Sequence, residues 1–137
     1  MDILQQSIAG LPAFATHLVA ALALLALFLI IYTRITPFPE FQLIRDGNTA
    51  ASISLSGSTL GYAIPLSYAS AQSINLPDML LWGGIALVSQ LLVYGVVRVF
   101  VIPDISKDIS DGKIAQGTLL AALAIATGLV NAGCMTY

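Results

Sequence analysis

Four stretches of this chain, residues 13–32, 48–72, 79–97 and 114–136, contain no Asp, Glu, Lys or Arg. A helix needs about 20 apolar residues to cross the hydrocarbon core of a bilayer, and each stretch is of that order. An unpaired charge in hydrocarbon is costly, so charge-free runs of this length are the sequence signature of membrane spans. Composition removes the alternatives. Of 137 residues, 58% are hydrophobic and 9% charged, against roughly 25% charged in a soluble domain. Such a chain cannot clothe a water-soluble enzyme, and it is too apolar to remain disordered. Five basic residues and a net charge of −2 offer no footprint for nucleic acid. Cys134 is the sole cysteine, which excludes an intrachain disulfide framework and a multi-cysteine metal site.

The expected fold is therefore all-α, a four-helix transmembrane bundle forming a single integral membrane domain over residues 1–137. The first run, with LVAALALLALFLIIY at 18–32, is hydrophobic on every face. Residues 48–72 are a weaker span, rich in Ser and Thr and interrupted by Pro65, although their length suits a tilted crossing. Residues 1–12 lack the basic region of a signal peptide, so the first span is expected to be retained.

The basic residues orient the spans. Arg34 and Arg45 lie between the first and second, and Arg98, Lys107 and Lys113 between the third and fourth. The N-terminal segment, the connection 73–78 and the C-terminal end carry none. Basic loops stay cytoplasmic, so both charged loops are expected inside and both termini outside, in the periplasm of a bacterial inner membrane.

Two sets of anchors recur. Arg34, Pro39 and Glu40 correspond to Arg98, Pro103 and Asp104, and Asp46, Gly47, Ala50 and Leu55 to Asp111, Gly112, Ala115 and Leu120. The chain thus reads as two repeats, about 13–73 and 77–137, each of two spans. Repeats of two spans run in the same direction, related by an axis along the membrane normal. Arg34 and Arg98 complement helix C-termini, Pro39 and Pro103 end those helices, and Asp46 and Asp111 stand where N-caps of the following spans are expected. The sharper reading makes Arg34, Glu40, Asp46, Arg98, Asp104 and Asp111 a pseudo-symmetric charged surface that grips a cytoplasmic partner or a cation. The apolar residues between them suit segments lying in the membrane interface.

Helices in lipid approach through small residues. Gly117, Ala121, Ala124, Gly128 and Ala132 form such a row in the last span, and Ser54, Ser58 and Gly61, with Gly57 beside them, in the second. These are the expected packing faces, with spans 1 and 3 towards lipid. The hydroxyls of Ser52, Ser54, Ser56, Ser58, Thr59, Ser67 and Ser70 admit a pore-lining role. They point around several faces, however, and Ser and Thr usually bond within or between helices. No ionisable group lies mid-span. Gln90, Gln116 and Asn131 are expected to join helices.

Catalytic groupings are missing from the sequence. His17 is the single histidine and cannot build an HExxH site. Residues 57–61, GSTLG, put Thr59 where a nucleophile elbow requires serine. Cys134 is expected to pack inside, Trp82 to sit at an interface, and Gly83 with Gly84 to permit close approach.

The segments FQLIRDGNTAASISLSGSTLGYAIPL, residues 41–66, and DISDGKIAQGTLLAALAIATGLVNAGCM, residues 108–135, resemble the YjfL-like family of small bacterial inner-membrane proteins, domain of unknown function 350. The resemblance covers most of the chain. It implies a multi-pass inner-membrane protein and supplies no catalytic residue or cofactor. The expected function is a non-enzymatic membrane anchor or scaffold subunit without a cofactor. Its expected partners are membrane lipids, copies of itself in a homo-oligomer or membrane complex, and a cytoplasmic membrane-associated protein. The alternative is an oligomeric channel or small-solute permeation protein lined by span 2.

Overall fold

A computed structural model describes residues 2–135. Four long helices dominate it: α2 (Leu11–Ile35), α4 (Thr49–Gln72), α5 (Leu76–Val96) and α7 (Ile114–Cys134). Three short ones, α1 (Ile3–Ile8), α3 (Glu40–Arg45) and α6 (Ile105–Ser110), complete the chain, and α5 ends in a π-helical turn, Val97–Val101. Among the described residues there is no strand. Three helical segments are long and apolar enough to cross a membrane: Ile3–Ile35, Leu76–Val101 and Ile114–Cys134. The fourth expected span, α4, is not among them. It is 24 residues long, but its hydroxyls, amide and proline leave it less apolar than its neighbours.

That composition follows from where α4 sits. It packs against α2, α5 and α7, with its most extensive contact on α7. Side-chain pairings set the directions. Phe28 stacks on Tyr62 with ring centroids 4.7 Å apart, and Ser58 Oγ donates to Tyr32 Oη at 3.0 Å, so α2 and α4 are antiparallel. Tyr62 Oη donates to Gly83 O at 3.0 Å, and Gln90 Nε2 to Gly61 O at 2.9 Å, so α4 and α5 are antiparallel as well. The α4–α7 pair is parallel: Ala50 meets Gly117, Gly57 meets Ala121, and Gly61 lies against Ala124 and Gly128. A Cβ added at Gly117 would stand 2.6 Å from the Ala50 carbonyl oxygen. The small-residue rows of these two helices thus meet backbone to backbone, the approach that helices in lipid depend on.

Large apolar side chains cover the outward faces, among them Phe14, Val19 and Leu22 of α2, Leu81 and Leu92 of α5, and Leu129 and Val130 of α7. Inside, Phe28, Tyr32, Tyr62 and Tyr94 form an aromatic column, Tyr32 and Tyr94 meeting edge-on at 5.3 Å.

The two connections fold alike. Each short helix ends on an Asp-Gly pair whose glycine has positive φ, 86° at Gly47 and 76° at Gly112. Asp46 N reaches Gln42 O, Gly47 N reaches Ile44 O and Asn48 N reaches Leu43 O. Asp111, Gly112 and Lys113 bond Lys107, Ile109 and Asp108 in the same pattern. This is the glycine-terminated C-cap, which favours a residue without Cβ in the left-handed region. Asp46 and Asp111 therefore close the short helices; the expectation that they cap the following spans is corrected. Asn48 caps α4, its Oδ1 accepting from Ala51 N at 2.9 Å. Lys113 occupies the equivalent place before α7 without a side-chain cap.

Candidate functional site at the loop end

Both connections lie where α2 and α5 end and α4 and α7 begin, so one end of the molecule collects the charged residues. Arg34, Asp46, Arg98, Asp104 and Asp111 are exposed there. Buried apolar residues seat the loops under the helix ends: Phe38 in the first, Ile102, Ile105 and Ile109 in the second. A shallow groove of about 330 Å³ runs past Arg98, Asp104, Ser106 and Lys107 to Pro37 and Ser110. Lys113 pairs with Asp108 at 3.2 Å. Asn48 ties the connections together, its Nδ2 donating to Ile109 O at 2.8 Å.

Glu40 departs from this surface. It is 1% exposed, so its expected place among the partner-facing charges is corrected. Phe38 is buried just ahead of it, and α3 begins at Glu40 itself. That seating turns the first side chain of the helix inward. Neither carboxylate oxygen has a hydrogen-bond partner, and the buried Tyr94 hydroxyl also lacks one. Glu40 acts electrostatically on the edge-on pair of Tyr32 and Tyr94, without a hydrogen bond between its carboxyl group and either ring. Burial raises the Glu40 carboxyl from 4.5 to about 8, because a charge is expensive to hold away from water. The nearby Thr36 hydroxyl, itself donating to Thr33 O at 3.2 Å, pulls the smaller opposite way.

The remaining candidates are spent inside the chain. Ser54 and Ser58 are buried; Ser54 donates to Ala51 O at 3.1 Å and Ser58 to Tyr32. Thr59 bonds back to Leu55 O at 2.7 Å. Gly61, Gly117, Ala121 and Gly128 form the α4–α7 contact. Gln90 bridges Gly61 O and Ala124 O. At the opposite end His17 Nδ1 lies 2.8 Å from Ala13 O, beside a groove between α2 and α4 that reaches Ser67 and Ser70. Cys134 is exposed rather than packed, near Asn131, whose buried Nδ2 has no partner. Among the described residues no three His, Cys, Asp or Glu side chains converge as metal ligands.

What the composition alone could not reveal is the inward turn of Glu40. The signal available was its position directly after Pro39, beside Phe38 and Phe41.

The family model for Domain of Unknown Function (DUF350) matches residues 6–135. The chain belongs to this family. It is 46% identical over 128 residues to the UPF0719 inner membrane protein YjfL of Escherichia coli K12, covering 93% of this chain and 96% of that one. The YjfL protein of Escherichia coli O157:H7 matches to the same extent. It is also similar to the UPF0719 transmembrane protein YshE of Bacillus subtilis, at 26% identity over 124 residues, 89% of this chain and 92% of YshE. No solved structure gives a significant match. DUF350 membership makes this a membrane protein of an uncharacterised family, related to proteins named for the inner membrane.

Proposed function

We propose that the chain is a non-enzymatic scaffold or anchor subunit of the inner membrane, crossing it four times. The direction of the helices supports the fourth crossing. Leu24 lies beside Gly83 and Tyr32 beside Tyr94, so α2 and α5 run parallel. If both cross, the chain must return between them, and α4 is the segment available. The parallel α4–α7 pair and the matched Asp-Gly turns support two repeats related by an axis along the membrane normal. The positive-inside tendency then puts the charged connections in the cytoplasm and both termini in the periplasm.

One contrast carries the scaffold reading. Polar side chains within the helices bond back to their own helix, as Ser54, Thr59 and Thr127 do, or across to a neighbour, as Ser58, Tyr62 and Gln90 do, whereas Arg34, Asp46, Arg98, Asp104 and Asp111 stand exposed at one end. That end suits docking, with a cytoplasmic membrane-associated protein or a further copy of the chain as the partner and membrane lipid around it. An oligomeric channel lined by α4 is less well supported, because Ser54 and Ser58 are buried within a single chain.

The test compares the wild type with R34E/D46K/R98E/D111K, each extracted in mild detergent and weighed by native mass spectrometry. The expected result is a wild-type assembly that the variant loses while keeping its helicity. A wild type that is strictly monomeric and unaccompanied, like the variant, overturns the docking reading. Solute flux through liposomes holding the pure protein would favour the channel.

A further inference from the structure

We propose that Glu40, with Tyr94 and Tyr32, forms a proton-binding site at the loop end, whose occupancy decides whether α3 stays seated against the long helices. The inference goes beyond the scaffold reading and does not need a docking partner. Its basis is geometric. Both oxygens of a 1%-exposed carboxyl group and the hydroxyl of Tyr94 are buried without hydrogen-bond partners. A buried charge without a partner is costly enough that the group takes up a proton instead. A protonated carboxyl carries no charge to solvate and has both an O–H donor and an acceptor oxygen, so the neutral form is the one this buried setting tolerates.

The groups that could compensate an ionised Glu40 are few. From α2 they are Tyr32 and Arg34, from α5 Tyr94, and from the π-helical turn Arg98. Tyr32 accepts from Ser58, and its own O–H makes no hydrogen bond to the carboxyl group. Arg34, Arg98 and Arg45 of α3 itself are exposed, and although the Arg98 charge is felt at Tyr94, none of the three bonds either oxygen of Glu40. Within α4 the ionisable side chains are Tyr62 and Tyr68. Tyr62 is committed to Gly83 O, and Tyr68 is exposed. On the second connection Asp108 is held by Lys113, while Asp104 and Lys107 face outward. No cation is placed to hold the charge, so losing the proton favours a conformation in which the carboxylate reaches water. The cheapest such movement lifts α3, six residues long, carrying the exposed Phe41 and Arg45 with it.

Glu40 is the sole glutamate of the chain, which makes the test direct. Protein carrying glutamate labelled with carbon-13 at Cδ, in mild detergent, shows one side-chain carboxyl resonance. The expected titration midpoint is about 8, with amide resonances of residues 41–45 shifting at the same midpoint and becoming pH-independent in E40Q. A midpoint near the ordinary glutamate value of 4.5 overturns the proton site. A high midpoint with unmoved α3 amides overturns the coupling to α3. Both outcomes are readable in the wild type, so the proposal does not depend on E40Q folding.

Discussion

Gln90 donates to the carbonyl oxygen of Gly61 at 2.9 Å, and that oxygen is the one Pro65 leaves without a helical partner. In an α-helix the carbonyl of residue 61 accepts from the N–H of residue 65, which proline lacks. The freed acceptor lies in the buried centre of the molecule, where α5 supplies an amide from across the interface. The second Nε2 bond, to Ala124 O at 3.0 Å, draws α7 into the same joint. Replacing Gln90 by Leu should cost about 1–3 kcal/mol, the penalty of an unsatisfied buried acceptor, read as a lower Tm in mild detergent. Pro65→Ala restores the N–H, so the double variant P65A/Q90L should lose less than the sum of the single ones. Strict additivity would show that the two sites are not coupled.

Glycine substitutions should separate sharply by position. A Cβ at Gly61 would press on the Ala124 backbone, and one at Gly128 on the Gly61 backbone. Neither obstacle is a flexible side-chain end that can swing aside. Gly61→Ala and Gly128→Ala are expected to destabilise by about 1–3 kcal/mol or more, as overpacking does. Gly84 and Gly95 have nothing within 4 Å of an added Cβ. Alanine there should be neutral or stabilising by up to about 1 kcal/mol through helix propensity. Thermal unfolding of the four single variants checks the pattern, and equal losses at all four would contradict it.

The places where the sequence was legible share a physical cause, and so do the places where it was not. Small residues at three- and four-residue spacing identify a packing face whatever they pack against, so the rows in α4 and α7 were readable before their meeting was. Charge-free length likewise marks α2, α4, α5 and α7. A loop glutamate, by contrast, looks solvated unless the path of the chain around it is known, and the seating of Phe38 that buries Glu40 is a tertiary event. Asp46 and Asp111 misled because an Asp-Gly pair can either begin one helix or end another. Here the positive φ of Gly47 and Gly112 decides for the ending. Cys134 looked like a packing residue because cysteine is usually buried, yet it stands on the outward side of α7.

The two connections differ at one equivalent position, and that difference is testable. Asn48 caps α4 and also bonds the second connection through Ile109 O. Lys113, its counterpart before α7, has no acceptor to offer and instead makes a surface ion pair with Asp108 at 3.2 Å. Asn48→Ala should cost about 0.5–2 kcal/mol for the cap, plus about 0.5–1.5 kcal/mol for the bond between connections. Lys113→Asn should gain about 1 kcal/mol in capping against the loss of an exposed pair worth about 0–1 kcal/mol. Its net effect is neutral to stabilising, and denaturant unfolding in detergent distinguishes the two signs.

Stability should fall as pH rises through the neutral range, opposite to the usual effect of a paired carboxylate. Burial raises the Glu40 carboxyl from 4.5 to about 8 on folding, so between those values the folded chain binds the extra proton. Stability is then greatest below the unfolded value, declines as pH climbs from about 4.5 to about 8, and is flat above the folded value. A shift of this size corresponds to a loss on the order of a few kcal/mol across the window. A loop that opens to solvate the carboxylate before global unfolding would make the loss smaller. Glu40→Gln keeps the shape of the side chain without the charge, so its Tm should vary less with pH and exceed the wild-type value at alkaline pH. Melting curves of both proteins in the same detergent across this range make the comparison. Parallel wild-type and variant profiles would mean that Glu40 already meets water in the folded protein.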